Sequence, residues 1–188
     1  ISNAIGQGEV LMTPIQLANM TATIANKGWF YTPHILKNIE GEPISDPDYT
    51  KKHFTTIDSE HFIPVIEGMH QVYKVGTASA LQIPGIEIAG KTGTAENYTK
   101  INGKRTQLTD HSIFIAFAPV DNPKIAIAVF VENGYWGGRY AGRIASLMVE
   151  KYLKNSISRK DMETWVLTHS LEDEYLKPLS GEPFSINK

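Results

Sequence analysis

The sequence predicts a fold that mixes helices and strands, with helices or other parts of the chain covering both faces of a sheet. Three observations support this prediction. Residues 111–120 and 124–131 are strongly apolar stretches of strand length, a capping box opens a helix at Thr13, and an apolar stripe runs along residues 139–154. Because both strands are too apolar for a sheet with one solvent-exposed face, we expect cover on each side.

Two helical segments are predicted before these strands. The first spans residues 13–28, where Thr13-Pro14-Ile15-Gln16 fits a capping box with proline at the first helical position and Gly28 marks the end. The second spans residues 60–74, and its Pro64 leaves the first residue open. Its apolar side comprises Phe62, Val65, Ile66, Met69, Val72 and Tyr73.

Strands and turns are predicted from composition and alternation. Residues 29–57 are rich in proline and polar side chains, which predicts a strand near His34 to Ile39 and then a loop. Residues 86–97 alternate and are rich in Ile and Thr, which predicts a further strand. Asn102-Gly103 is typical of a hairpin turn.

Composition excludes several classes of function. The 188 residues suit one domain, and a net charge of -2 without a run of Lys and Arg does not indicate a nucleic-acid partner. Cysteine is absent, so the chain has no disulfide, thiolate nucleophile or Cys-based zinc site. The six histidines are scattered without ligand spacing, so we expect no metal and no cofactor. No apolar run approaches the roughly 20 residues of a membrane span, and the start at Ile1 suggests a piece of a longer protein.

The stretch Gly85 to Asn97, GIEIAGKTGTAEN, fits two motifs that demand different backbones. GIEIAGKT matches the phosphate loop of nucleotide hydrolases, which curls around an anion and leads into a helix. KTGT matches the Lys-Thr-Gly strand of enzymes that acylate a serine. The β-branched Ile86 and Ile88 favour an extended chain, and Gly-Thr-Ala-Glu-Asn-Tyr is a poor helix start, so we favour the strand.

An extended backbone gives each residue of this motif a possible task. Alternation puts Lys91 and Gly93 on one side and Thr92 and Thr94 on the other. The lysine would fix a positive charge beside a reaction centre, the glycine would admit an extended peptide, and the threonines would offer hydroxyls to a carboxylate. The alternative is a surface strand with an incidental lysine.

Five motifs in order extend this interpretation. They are Gly6-Gln7-Gly8, the Thr13-Pro14-x-Gln16-Leu17-Ala18 helix start, Lys91-Thr92-Gly93-Thr94-Ala95, Asp110-His111 with Phe117-Ala118-Pro119, and Glu132-Asn133-Gly134. Over residues 1–155 the chain resembles the C-terminal half of penicillin-binding transpeptidase domains. The Asp-His and Glu-Asn-Gly motifs look like the elongation-type class B members, the penicillin-binding protein 2 group. Residues 156–188 form a polar tail outside the resemblance, with Trp165 as its one large anchor, which either folds over the domain or hangs loose.

The resemblance implies an α+β fold, a mostly antiparallel sheet flanked by helices, and a DD-transpeptidase that cross-links peptidoglycan stem peptides through an acyl-serine. It implies that Lys91 sits beside the serines and that the Thr92 and Thr94 hydroxyls bind the carboxylate of substrate or β-lactam. Gly93 leaves room for the donor backbone, and the Thr94 N–H forms half of the oxyanion hole. It also implies a membrane glycosyltransferase partner of the elongation machinery, and a parent anchored in the bacterial cytoplasmic membrane with this domain outside, its anchor absent from this chain.

The family chemistry also needs S-x-x-K and S-x-N, which precede KTG in the family. Only Ser185-Ile186-Asn187-Lys188 fits either pattern, and four terminal residues cannot hold a rigid helical geometry, so we interpret the match as accidental. We therefore predict that this chain alone is inactive. The rival hypotheses are a non-catalytic penicillin-recognising sensor or scaffold on the same fold, and the nucleotide hydrolase.

Other segments near the motif leave two interpretations each. Asp110 and His111 form either a hydrogen-bonded pair that fixes a strand entrance, which we favour, or a catalytic pair. The aromatic loop 133–138 either borders the groove or only turns the chain. Gln7 either orients backbone near the groove or lies in a tight turn before the first helix, and we favour the turn.

Overall fold

The computed structural model describes residues 6–172. Within this range the chain forms two compact units. Unit 1 contains residues 6–11, 91–114 and 129–172, and unit 2 contains residues 12–90 and 115–128.

Five α-helices and nine strands are present among residues 6–172. The helices are α1 Pro14–Ala25, α2 Pro47–Thr50, α3 Phe62–Lys74, α4 Ala141–Lys154 and α5 Lys160–Thr168. The strands are β1 Trp29–Phe30, β2 Asn38–Ile39, β3 Glu42–Pro43, β4 His53–Phe54, β5 Ala89–Ala95, β6 Tyr98–Ile101, β7 Lys104–Gln107, β8 His111–Ala118 and β9 Ile125–Val131. Helices and antiparallel strand pairs occur together, which confirms the α+β class.

Helix α1 begins and ends where local chemistry predicts. The N–H of Thr13 donates to Oε1 of Gln16 at 2.8 Å, and Pro14 opens the helix. The helix ends at Ala25, three residues before the predicted end, and Gly28 at φ +108° turns the chain away. In α3, Pro64 lies in the first turn, where no helical N–H bond is lost.

The prediction for residues 34–39 is mostly wrong. Only Asn38 and Ile39 are in a strand, and they pair with Glu42 and Pro43 in a two-residue hairpin. The sequence analysis missed β1 and β4, which pair Trp29 with Phe54. Because this pairing links residues far apart in the chain, no local sequence pattern predicts it.

The core of unit 2 packs α1 and α3 against strand residues. Ala25, Met69, Ala89 and Phe117 form a buried cluster, surrounded by the partly buried Ile24, Ile66, Ile115, Val120 and Ala126. Helix α3 presents His70 to this interior as well, and its imidazole contacts Glu87 at 2.5 Å. The cluster fixes the chain that leads into β5.

Strands β5, β8 and β9 form a three-stranded sheet with β8 in the centre. β8 is buried at Ser112, Phe114 and the three residues Ala116 to Ala118, as predicted. The side chains of β9 are more exposed to solvent than predicted. Ile127 is buried, whereas Phe130 is 40% exposed. The central position of β8 explains the difference.

In unit 1, α5 packs against α4. The indole of Trp165 lies against the ring of Tyr140 at a centroid distance of 5.0 Å. The Arg143 guanidinium lies 3.9 Å from the centroid of the Trp165 ring. Strands β6 and β7 form a hairpin whose turn residues Asn102 and Gly103 both have positive φ, which confirms the predicted turn.

Candidate active site

The segment Gly85 to Asn97 is extended where the two motifs disagree. Ala89 to Ala95 form β5, and the chain continues into β6 rather than into a helix. A phosphate loop would need a curl and a helix N-terminus after Lys91 and Thr92. The nucleotide-hydrolase interpretation is therefore wrong.

β5 lies at the edge of its sheet, with β8 as its one hydrogen-bonded neighbour among the described strands. Lys91 and Thr94 are exposed, whereas Thr92 and Gly93 are half-buried. The Lys91 ammonium donates to the Thr92 carbonyl oxygen at 2.7 Å. An edge strand with exposed cationic and hydroxyl side chains can take a further extended peptide alongside it.

Gly93 is covered by the backbone of another glycine. A Cβ built on Gly137 would lie 2.5 Å from the carbonyl oxygen of Gly93 and 2.4 Å from that of Ile113. A Cβ built on Gly93 itself would meet Ile113 Cβ at an ordinary 3.4 Å. The loop 133–138 therefore contacts β5 and does more than turn the chain.

Ser112 holds this loop in place, and the sequence analysis missed it. Its hydroxyl donates to the carbonyl oxygen of Trp136 at 3.0 Å and accepts the N–H of Ala141 at 3.1 Å. The side chain is fully buried within an apolar strand. A lone serine between apolar residues was the only signal in the sequence.

Asp110 and His111 form hydrogen bonds to two other segments of the chain, one just after β5 and one just after β9. The N–H of Asn97, just past β5, donates to an Asp110 carboxylate oxygen at 3.3 Å, and Nδ1 of His111 accepts the N–H of Asn133 at 3.1 Å. The amide of Asn97 also donates to Oδ1 of Asn133 at 2.9 Å. These bonds tie the end of β5 to the loop after β9 and favour the structural interpretation. The catalytic alternative for either residue stays untested.

Gln7 reaches β5 across 87 positions of sequence. Its Nε2 donates to the Thr94 carbonyl oxygen at 3.3 Å, and its Oε1 accepts the Glu96 N–H at 3.2 Å. The favoured interpretation, that Gln7 only lies in a tight turn, does not account for this contact. The alternative, that Gln7 orients backbone near the groove, fits better, because its amide contacts the backbone of the motif strand.

The far end of β5 bears a small polar cluster. The Tyr98 hydroxyl donates to Glu96 at 2.9 Å, and the Arg105 guanidinium lies 3.6 Å from the Tyr98 ring centroid. The hydrogen bond to Glu96 raises the pKa of Tyr98, since ionisation would remove the donor beside a carboxylate. Tyr98 therefore serves as a hydrogen-bond donor at neutral pH.

Residues 6–172 contain no group of three or more His, Asp or Glu side chains arranged to hold a metal ion. In the same range, no helix has both the length and the apolar character needed to cross a membrane. Ser185, part of the accidental S-x-x-K match, lies outside the described residues.

A mixed α and β fold with an edge strand that carries Lys-Thr-Gly-Thr is the arrangement expected of an enzyme that acylates a serine. The family model described as penicillin binding protein transpeptidase domain matches residues 1–150. The chain belongs to this family.

Particular relatives narrow the comparison. The chain is 41% identical to the peptidoglycan D,D-transpeptidase MrdA of Acinetobacter baumannii over 75% of the chain and 22% of that relative. Pseudomonas aeruginosa PBP2, solved with WCK 5153, matches with a TM-score of 0.64 at 36% identity, over 84% of this chain and 34% of that one. An imipenem acyl-enzyme of M. tuberculosis penicillin-binding protein A matches with a TM-score of 0.65 at 33% identity, over 81% of this chain and 33% of that one.

These relatives confirm the resemblance to elongation-type transpeptidases and the penicillin-binding transpeptidase fold. The chain spans between about a fifth and a third of the length of each.

Proposed function

We propose that this chain is the KTG-containing part of a serine DD-transpeptidase that cross-links peptidoglycan stem peptides and is acylated by β-lactams. The observation that supports this most is the edge strand β5, which exposes Lys91 and Thr94 in an extended backbone. A peptide donor can align along such an edge, and a strand lends the precision that a catalytic group needs.

The nucleophilic serine is proposed to come from a part of the whole protein outside this sequence. The one S-x-x-K match in the sequence, at Ser185, is interpreted above as accidental. In the complete site, the Lys91 ammonium would lie beside the serine hydroxyls. There it would favour the deprotonated nucleophile and stabilise negative charge during acylation.

The remaining motif residues are assigned to substrate. The Thr92 and Thr94 hydroxyls would donate to the terminal carboxylate of the donor peptide or of the antibiotic. Gly93 lacks a side chain, so the donor backbone can approach β5 closely. The Thr94 N–H would donate to the oxyanion of the tetrahedral intermediate, where one donor contributes roughly 3–4 kcal/mol in other acyl-transfer enzymes.

The relatives also suggest where the protein works. The M. tuberculosis relative forms an imipenem acyl-enzyme, and the A. baumannii relative is a peptidoglycan D,D-transpeptidase. We assign this protein to the bacterial cell envelope, anchored in the cytoplasmic membrane with this domain on the outer side. A membrane glycosyltransferase of the elongation machinery, which makes the glycan strands to be cross-linked, is its proposed partner.

Covalent labelling with a fluorescent penicillin tests the assignment. The intact protein that contains this chain should be labelled, and the 188-residue chain alone should not. Lys91→Met in the intact protein should slow labelling by about 100-fold, the lower end for loss of a proton-transfer group. The matched control is Lys100→Met, which alters an exposed lysine of β6 and should leave the rate unchanged.

Three outcomes would contradict the proposal. Labelling of the chain alone that Ser185→Ala abolishes would place the nucleophile within this sequence. An unchanged rate in Lys91→Met would remove the lysine from the reaction. Acylation of the intact protein without any cross-linking of stem peptides would favour a penicillin sensor.

A further inference from the structure

We propose that Gln7 is a positioning residue for acylation, because its side-chain amide fixes the backbone polar groups of Thr94 on the outer edge of β5. This inference rests on the proposed function. It concerns a residue whose side-chain amide bonds to backbone groups of Thr94 and Glu96.

The geometry defines which edge Gln7 occupies. In an extended strand, the N–H and C=O of one residue point to the same edge, and those of the residue two positions on do so as well. Nε2 of Gln7 lies 3.3 Å from the Thr94 oxygen, and its Oε1 lies 3.2 Å from the Glu96 nitrogen. The amide therefore spans two groups of one edge, as one residue of a neighbouring strand would.

This edge is the one that faces away from the sheet. β5 pairs with β8 on its other side. Toward that side, the Glu87 carbonyl oxygen accepts the Val120 N–H at 3.0 Å, so by alternation the odd-numbered positions of β5 face β8 while Thr94 faces outward. The Thr94 N–H consequently projects from the same edge as the carbonyl that Gln7 holds. Fixing the carbonyl fixes the direction of that N–H, which is the group assigned to the oxyanion.

The chemistry requires a primary amide. A carboxamide supplies one acceptor and a donor from the same carbon, whereas an ionised carboxylate supplies acceptors only and an ammonium donors only. Gly6, at φ +76°, lets the chain turn just before Gln7. The Gly-Gln-Gly sequence thus combines a turn with the one side chain that can serve both β5 groups.

The test compares acylation of the intact protein by a fluorescent penicillin in two variants. Gln7→Met keeps the length but removes both bonds. We expect its acylation rate constant to fall about tenfold, as small misplacements of reacting groups do. The apparent dissociation constant of the initial complex and the Tm should stay close to wild type. Gln107→Met, at an exposed glutamine of β7 in the same unit, is the control and should change neither constant.

Gln7→Glu adds a pH readout that a purely structural role would not move. At pH 7.5 the carboxylate accepts from Glu96 but repels the Thr94 oxygen. Near pH 4.5 a sizeable fraction of the carboxyl is protonated and regains a donor, since its ordinary pKa is about 4.3. The acylation rate relative to wild type at the same pH should therefore rise about threefold on acidification.

The outcomes separate the two proposals. Absence of acylation in the wild-type protein would overturn the proposed function and this inference with it. Wild-type acylation with an equal or faster rate in Gln7→Met would overturn the inference alone, and a faster rate would make Gln7 a barrier to the donor. If Gln7→Met lowers the Tm too far to assay, a pH-independent ratio in Gln7→Glu overturns the inference.

Discussion

The backbones of Gly137 and Gly93 touch: a Cβ added to Gly137 would lie 2.5 Å from the Gly93 oxygen and 2.7 Å from its nitrogen. Real Cβ atoms do not approach backbone this closely, so one of the two segments must move if Gly137 gains a side chain. The segment at risk is the middle of the KTG strand.

Gly137→Ala should therefore destabilise the protein by about 1–3 kcal/mol, the usual range for overpacking, and displace β5. We expect a lower Tm and slower acylation by penicillin in the intact protein. Gly68→Ala is the control, because nothing lies within 4 Å of its added Cβ in α3 and alanine is the better helix former. Wild-type Tm and acylation in Gly137→Ala would show that the loop can retreat without disturbing β5.

Thr94→Val should weaken β-lactam binding while leaving the backbone N–H in place. A hydrogen bond to a charged group contributes about 1.5–3 kcal/mol, so the initial dissociation constant should rise roughly 10- to 100-fold. Thr94 is exposed, so the Tm should not change. The measurement is the concentration dependence of acylation, with Thr99→Val in β6 as control.

A substrate control sharpens this experiment. A penicillin methyl ester lacks the carboxylate that the Thr94 hydroxyl is assigned to bind. Wild type and Thr94→Val should bind the ester equally. A penalty of the same size with the ester would mean that the hydroxyl acts on something else.

The elements with local signals were predictable from sequence. The capping box of α1 and the Asn102-Gly103 turn each depend on neighbouring residues, and the structure has both. The strand predicted over residues 86–97 is present as β5, but it begins only at Ala89, after the β-branched Ile86 and Ile88. The choice between strand and phosphate loop also followed from local propensity. Hence the strand that contains the candidate site could be predicted, although its residues' roles stay proposals.

What the sequence could not supply depends on long-range contacts. Gln7 meets Thr94 across 87 positions, and Ser112 bonds Trp136 across 24. Neither side chain differs locally from an ordinary turn glutamine or strand serine. The tail after residue 155 left two interpretations. Helix α5 packs on α4 through an ion pair between the half-buried Arg159 and the buried Glu150, which no sequence periodicity predicts.

Glu87→Gln should destabilise the protein at neutral pH but not in acid. The hydrogen bond with His70 holds the pKa of Glu87 below its usual value, and the charge of Lys74 adds to this against the opposing effect of desolvation. A lowered pKa means that the stabilisation is present above the ordinary carboxyl pKa and is lost as the pH falls through the lowered one.

Thermal unfolding at pH 7 and near pH 3 checks this expectation. The Tm difference between wild type and Glu87→Gln should shrink at the lower pH, because a growing fraction of Glu87 is protonated there and then resembles the amide. Glu60→Gln, at an exposed carboxylate of unit 2, is the control. A Tm difference that grows on acidification would contradict the assignment.

Glu150 and Arg159 form a largely buried ion pair that holds the start of α5 against α4, with the Arg159 side chain 14% exposed. Glu150 is fully buried, and its Oε2 accepts from Arg159 Nε at 2.9 Å, while Oε1 accepts the Ser158 N–H at 3.1 Å. The guanidinium also donates to the Ser146 hydroxyl at 2.7 Å. Burial alone would raise the pKa of Glu150, but the hydrogen bonds from Ser158 and Arg159 outweigh it and lower the pKa.

Glu150→Gln should cost about 3–5 kcal/mol, because it leaves the arginine charge buried without its carboxylate. Glu163→Gln removes the carboxylate of a surface ion pair with the exposed Lys160 and should cost less than about 1 kcal/mol. Replacing both Glu150 and Arg159 by methionine should recover most of the loss, since neither charge then remains buried. Because the pKa of Glu150 is lowered, the Tm difference between wild type and Glu150→Gln should narrow as the pH falls through that lowered pKa. Thermal unfolding across pH measures all four proteins, and a Glu150→Gln Tm equal to that of Glu163→Gln would mean that the pair does not hold α5.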